Sequence, residues 1–444
     1  MSSPEFTRRR FLQGASVAAA AGMAGPGMLF SADALGAANS YDTIIHVFLR
    51  GGIDGLNLVV PISGNDRALY EDARPTLAIP ATGAYAALPL TLSSGAQTGF
   101  GLHPSASGLR DLWNLGKLAI VHSCGIKNTV TRSHFDAQLY LDSGTPGRKG
   151  TGTGWLARSW NAQAAAASMP LLAVNSRQPA SLMGSAAALT MGRPSDLTLN
   201  TTAWQWQTYR SSMPAGTKGL SETVAAMWGG SSVLETDGRN ADASRRLVGG
   251  QAYTDTLPSG FPTSSFARQL WTVAQSVRFN LGLRYATVDL GGWDTHEGQG
   301  TAGSGYHYYQ NMVAELSQAL TALYVELAAS GHADRVTVIV QSEFGRRVRQ
   351  NGSGGTDHGY GNPLLVLGGP VNGRRFYGRW DGLAPEILSP NFGDIPVNTD
   401  YRQVLSEILI RRMGNNKISS IFPQYDLATY TPLNVVSGTH VAPV

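Results

Sequence analysis

Cysteine is nearly absent from this chain. Cys124 is the single one in 444 residues, so no internal disulfide can form. A lone cysteine serves more often as a small buried residue than as a nucleophile. Charge is also scarce, at 14% against the usual quarter. The formal net charge is only +4 and no tract is rich in lysine, which leaves no footprint for nucleic acid. Past residue 38 no apolar run is long enough to cross a bilayer. Internal repeats and low-complexity tracts are missing too. What is plentiful is glycine, at 53 residues, within a chain that is 42% hydrophobic. That composition excludes disorder and fits a large core carrying many ordered loops.

Residues 1–38 read as a signal peptide, with arginines, then an Ala/Gly-rich apolar run, then small residues. Within it, Thr7-Arg8-Arg9-Arg10-Phe11-Leu12 resembles the twin-arginine signal for export of folded proteins. The resemblance implies the twin-arginine translocation machinery as a partner and a periplasmic or secreted destination. Cleavage is expected after Ala34 or Ala38, the second of which leaves a mature chain of residues 39–444.

That mature chain repeats one device. Residues 43–49 are a buried strand that runs into glycines around Asp54. A second apolar strand, 118–121, leads to a polar stretch with Thr131, Arg132, Ser133 and His134, placed just before a helix. Ser133 or Thr131 could act there as a nucleophile or merely cap the helix. The strand at 285–290 ends in Gly-Gly-Trp-Asp-Thr-His, whose Asp294 and His296 are two apart and can face one metal. The strand at 336–341 ends in Glu343, Arg346, Arg347 and Arg349, then a glycine-rich bend and Asp357-His358. Between the last two strands, Met312, Val313, Leu316, Leu320, Leu323 and Leu327 mark a long helix. Strand, helix and strand make a parallel βαβ unit, which brings both loops to one sheet edge. Open parallel sheets place ligands beyond the carboxyl ends of their strands. Residues 62–104 read as loop-rich, 175–261 as an inserted lobe with Trp204, Trp206, Tyr209 and Trp228, and the tail as surface.

Separately these loops are weak signals. Together they gather carboxylates and histidines whose like charges call for a cation. Mixed O/N ligands suit one or two divalent ions such as Zn, Mn or Ca.

FLRGGIDGLNLVVP, NTVTRSHFDAQ, GGWDTH and SEFGRRVRQNGSGGTDHG resemble the DUF1501 family of exported bacterial proteins. The layout is similar to that of the alkaline phosphatase/sulfatase superfamily. The resemblance implies an α/β/α sandwich with a mostly parallel central sheet and hydrolysis of phosphate or sulfate esters. It also implies metal ligands at Asp54, Asp294, His296, Glu343 and His358, with Asp357 as a further candidate. Ser133 or Thr131 falls at the nucleophile position, with His134 beside it. Arg132 or Arg346 would clamp the anion. One departure is Phe344, where the superfamily commonly has a histidine. It supports the alternative of an exported, non-catalytic binding or assembly protein. A glycan ligand stacked on the tryptophans of the lobe is a further reading.

Overall fold

The computed structural model describes residues 41–163, 165, 167–197 and 220–444. The expected signal peptide lies outside the described residues, as do Trp204, Trp206 and Tyr209. The strands in chain order are β1 (Thr43–Leu49), β2 (Val59–Pro61), β3 (Leu88–Thr91), β4 (Gln97–Leu102), β5 (Leu118–Gly125) and β6 (Leu171–Val174). They continue with β7 (Ala188–Met191), β8 (Tyr285–Leu290), β9 (Val336–Ser342), β10 (Asn362–Gly368), β11 (Arg375–Tyr377) and β12 (Thr399–Asp400).

Nine of these form one sheet in the order β11-β5-β10-β9-β1-β8-β6-β7, with β12 beside β5. The sheet is mostly parallel. Only β10 is reversed, running antiparallel to both β5 and β9. β1 sits in the middle, parallel to β8 on one side and β9 on the other, and all seven of its residues are buried. In register, Leu49 lies beside both Leu290 and Ser342. The chain therefore leaves β1, β8 and β9 at one edge, and the end of β5 reaches the same edge beside Asn362.

Helices cover both faces. They include α1 (Ser107–Asn114), α2 (His134–Ser143), α3 (Ser265–Arg278), α4 (Tyr308–Ala329) and α5 (Tyr401–Met413). The two-residue period of β1 decides which core each side chain joins. Ile45, Val47 and Leu49 meet Leu109, Leu270 and Leu320 of α1, α3 and α4. Ile44 and Phe48 fall in the other core with Leu141, Leu405 and Ile408 of α2 and α5. The α4 stripe expected from sequence is buried as a core face, and Gly331 beyond it has the positive φ of a helix stop. The isolated histidine of β1, His46, is a core residue, and burial pushes its pKa down to about 4. Cys124 is buried as well, which raises its thiol pKa and leaves it unreactive.

Two readings need refining. Residues 62–104 are loop-rich, but they also hold a helix, Gly64–Ala73, and the strands β3 and β4. With the preceding β2 these strands form a small antiparallel sheet in the order β2-β4-β3. Pro61, Pro89, Gly99 and Gly101 hide these strands from any propensity argument. The tail is not all surface either. The Glu407 carboxylate is buried and accepts from the backbone N–H groups of Leu433, Asn434 and Val436. Val435 and Val436 are buried as a result. Within 175–261, β7 extends the main sheet, and the half-buried Trp228 lies against Gly238 of the helix Val233–Gly249. Among the described residues no helix is long and apolar enough to cross a membrane.

Candidate metal centre

α2 begins where the β5 loop turns back over the sheet edge. Ser133 caps it, accepting from the Asp136 N–H at 3.4 Å, while Thr131 Oγ1 accepts from the Ser133 N–H at 3.2 Å. His134 is thereby the first helical residue and faces the ends of β8 and β9. Gly51, at the end of β1, has φ +121°, and a Cβ there would lie 2.5 Å from the Asp294 nitrogen. Only glycine lets the β1 loop touch the Trp-Asp-Thr-His loop.

Four side chains converge at this edge. The Nε2 atoms of His134, His296 and His358 lie 3.3, 3.2 and 3.5 Å from Asp294 Oδ1. His134, Asp294, His296 and His358 form the one group found among the described residues that could hold a metal ion. The far nitrogen of each ring is held from behind. His134 Nδ1 meets Glu343 Oε1 at 2.9 Å, His296 Nδ1 meets Asp357 Oδ1 at 3.2 Å, and His358 Nδ1 meets the Arg132 carbonyl at 2.7 Å. Carboxylates and carbonyls accept, so with the proton on each Nδ1 these partners are satisfied and each Nε2 offers a lone pair to a cation at the centre.

These contacts fit a cation. His296 Nε2 and His358 Nε2 are 2.8 Å apart, a distance that calls for a shared proton or a cation faced by both rings. His134 Nε2 is buried and has no hydrogen-bond partner among the described residues. A tetrahedral ion with bonds of about 2.0–2.1 Å spaces its ligand atoms about 3.3–3.4 Å apart, which the three distances to Asp294 bracket. Three imidazole nitrogens suit zinc or manganese better than calcium, which prefers oxygen.

Electrostatics set His134 apart from His358. The hydrogen bond to Glu343 raises the His134 pKa against the effect of burial, whereas burial lowers that of His358. Asp294 is half-exposed. Burial pushes its pKa up, but the hydrogen bond and charge of Arg346 outweigh this and hold it low. Phe344 is buried, with its ring centroid 4.9 Å from that of His134 and 4.8 Å from that of His358. It forms an apolar wall that fixes both imidazoles.

The expected ligand set divides. Asp294, His296 and His358 are in the cluster. Glu343 and Asp357 stand one layer back as holders of His134 and His296. Asp54 is elsewhere. Its carboxylate forms a two-pronged pair with the buried Arg74, at 2.5 and 2.9 Å, and accepts from Gln299 at 2.6 Å. Arg346 does not fit the role of an anion clamp. Its side chain is 0% exposed and its N–H groups go to the carbonyls of Gly51, Gly52, Trp293 and Thr356 and to Asp294. It ties the strand ends together instead. Arg132 is partly exposed and pairs with Asp394. The residue whose role the sequence hid is His134. The sequence sets it beside Ser133, and its place at the first turn of α2 aims it at Asp294.

Residues 129–392, more than half of the chain, match the model of the family described as Protein of unknown function (DUF1501). The chain belongs to the DUF1501 family. No curated protein matches it. The part shared with the DUF1501 model contains all four cluster residues and Arg132, Glu343, Arg346 and Asp357, while β1 and α5 of this DUF1501 chain lie outside it.

The supporting carboxylates are open to test. Glu343→Gln and Asp357→Asn are each expected to weaken zinc binding about 10- to 100-fold without unfolding the protein. Competition with a chromophoric chelator would measure this. A second prediction concerns Asp142, a buried residue in the last turn of α2 that pairs with Arg50. Burial pushes its carboxyl pKa up to about 6, although Arg50 draws it down. Between about pH 4 and 6 the folded protein thus keeps a proton that the unfolded chain has lost, and stability falls as pH rises through that window. Asp142→Asn is expected to remove up to about 3 kcal/mol of that fall. Urea midpoints collected at pH 4, 5 and 6 should flatten in the variant.

Proposed function

We propose that this protein is an exported, metal-dependent hydrolase of phosphate or sulfate esters. The observation that supports it most is the convergence of three imidazole Nε2 atoms on Asp294 Oδ1, each ring fixed from behind. A metal site at the carboxyl edge of a mostly parallel sheet, between two helical layers, also agrees with the layout of the alkaline phosphatase/sulfatase superfamily. Export by the twin-arginine pathway is part of the same proposal and rests on residues 7–12.

His134, Asp294, His296 and His358 would hold one divalent ion. Bound there, such an ion supplies a Lewis acid that polarises an ester oxygen. Glu343, Asp357 and the Arg132 carbonyl keep the imidazoles in the tautomer that offers Nε2. Ser133 Oγ accepts from the α2 backbone, so its own proton remains available for transfer, and it is the candidate nucleophile. Thr131 shapes the cap. The Arg132 guanidinium stands beside this turn and can orient an anionic oxygen once it exchanges Asp394 for substrate.

The test is turnover of a panel of phosphate and sulfate monoesters by zinc- or manganese-loaded mature protein. Activity should disappear with chelator and return with metal, and Ser133→Ala should lower it by about a thousandfold or more. A protein that holds one equivalent of metal and hydrolyses no member of the panel would overturn the proposal. That result would favour a non-catalytic binding protein, a reading supported by one contact. Arg346 Nη2 lies 2.6 Å from Asp294 Oδ1 and already neutralises the carboxylate a metal would use.

A further inference from the structure

Beside the cluster the surface turns apolar. Phe135 is 88% exposed and Phe392 is 74% exposed, the two phenylalanines among the exposed large hydrophobics of the described residues. Both adjoin groups that build the site. Phe135 follows the cluster residue His134 at the first turn of α2. The Phe392 ring lies under the guanidinium of Arg132, 5.5 Å from its centroid, and the carbonyl of Arg132 holds His358. Val130, two residues before Arg132, is exposed as well.

Two further features mark this rim. Phe392 has φ +59°, a conformation costly for a bulky side chain and easy for glycine or asparagine. A phenyl ring is nevertheless placed there. Guanidiniums also stand at this rim. Arg132 and Arg347 both face Asp394, which is buried and whose pKa burial pushes up to about 6, and Arg347 also acts on Asp357. The Arg132 guanidinium itself is partly exposed at the rim. An anion drawn to the cluster thus finds cations next to it and phenyl surface just beyond.

We infer that Phe135 and Phe392 determine specificity, selecting anionic esters whose alcohol portion is apolar, such as an aryl group. The anionic end faces the cluster and Arg132, and the apolar end lies against the two rings. This rests on reading the cluster as an anion-binding metal site, and it names the class of ester that site takes.

Binding of non-hydrolysable probes separates the two claims. Zinc-loaded mature protein is titrated calorimetrically with phenylphosphonate and with methylphosphonate. The wild type should bind the phenyl compound about tenfold more tightly. Phe135→Ala and Phe392→Asn should each shrink that preference and the double variant should abolish it, with methylphosphonate affinity and zinc content unchanged. Asparagine at 392 suits the left-handed backbone, so the loop keeps its shape. Equal wild-type affinities, or a preference that survives in the double variant, would overturn the apolar subsite while leaving the metal site standing. Failure of both phosphonates to bind zinc-loaded protein would overturn both readings.

Discussion

Asp294→Ala should empty the centre. The wild type is expected to hold one equivalent of zinc or manganese by elemental analysis after purification without chelator or histidine tag. The variant should bind at least about 100-fold more weakly, since losing a ligand exceeds the loss typical of a supporting partner. Asp294 Oδ1 is the common point from which all three Nε2 atoms are 3.2–3.5 Å distant. Removing it takes away the one carboxylate of the set and leaves Arg346, whose Nη2 it accepts from, as an uncompensated cation beside the imidazoles. Metal should therefore be repelled as well as deprived of a ligand. His296→Ala, which leaves the Arg346 contact in place, should lose less. Because metal binds the folded chain, saturating zinc at about 100 times its Kd should stabilise the wild type by about 2.7 kcal/mol and Asp294→Ala hardly at all. Stoichiometric metal at unchanged affinity in Asp294→Ala would defeat the assignment.

Asp54→Ala is expected to do the opposite, leaving metal content intact and crippling the fold. Asp54 and Arg74 are both fully buried, and Arg74 also reaches Asn57 and the carbonyls of Arg347 and Val348. Taking away the carboxylate strands a guanidinium in the interior, which costs about 3–5 kcal/mol. Gln299 loses its acceptor in the same step, and Gln299 Oε1 receives from Thr295 and Thr356 in the two loops that carry the cluster. Urea unfolding would read the loss, with zinc titration in parallel. A variant that keeps its stability within about 1 kcal/mol and loses metal would make Asp54 a ligand after all.

Those two aspartates show where the sequence is legible. Both follow a buried strand and both are flanked by glycine, and nothing local distinguishes them. What separates them is Arg74, twenty residues from Asp54 and invisible as its partner until the helix Gly64–Ala73 returns it to the β1 loop. The strands themselves were readable. β1 and β8 are mostly apolar runs of β-favouring residues, interrupted by His46 and Asp289, that lead into glycines, and α4 carries a helical stripe. Their co-terminal loops followed from the rule that βαβ units are parallel. The contact of His134 with Glu343 spans 209 residues and so is not legible in the sequence, where the N-cap serine just before it draws attention instead. Phe344 looked like a lost ligand and is in fact wall to two imidazoles, a role fixed only by packing. The small sheet of β2, β3 and β4 had the composition of loop and owes its order to burial of residues such as Leu90 and Leu102.

Reversal of β10 turns the segment 343–361 into an arch. Had β10 been parallel, that segment would have crossed the sheet and could have swung as a flap from a single root. Instead β9 and β10 are neighbours, so both feet stand side by side in the middle of the sheet. The footing is cross-braced, because Asn362 Nδ2 donates to the carbonyls of Phe344 and Ile53. Glu343 at one foot and His358 near the other are thus spaced by backbone ladder rather than by loop length. The crown is pinned as well, since the carbonyls of Ser353 and Gly354 accept from the N–H groups of Gly298 and Gln299, so the cluster inherits the stiffness of the strands beneath it.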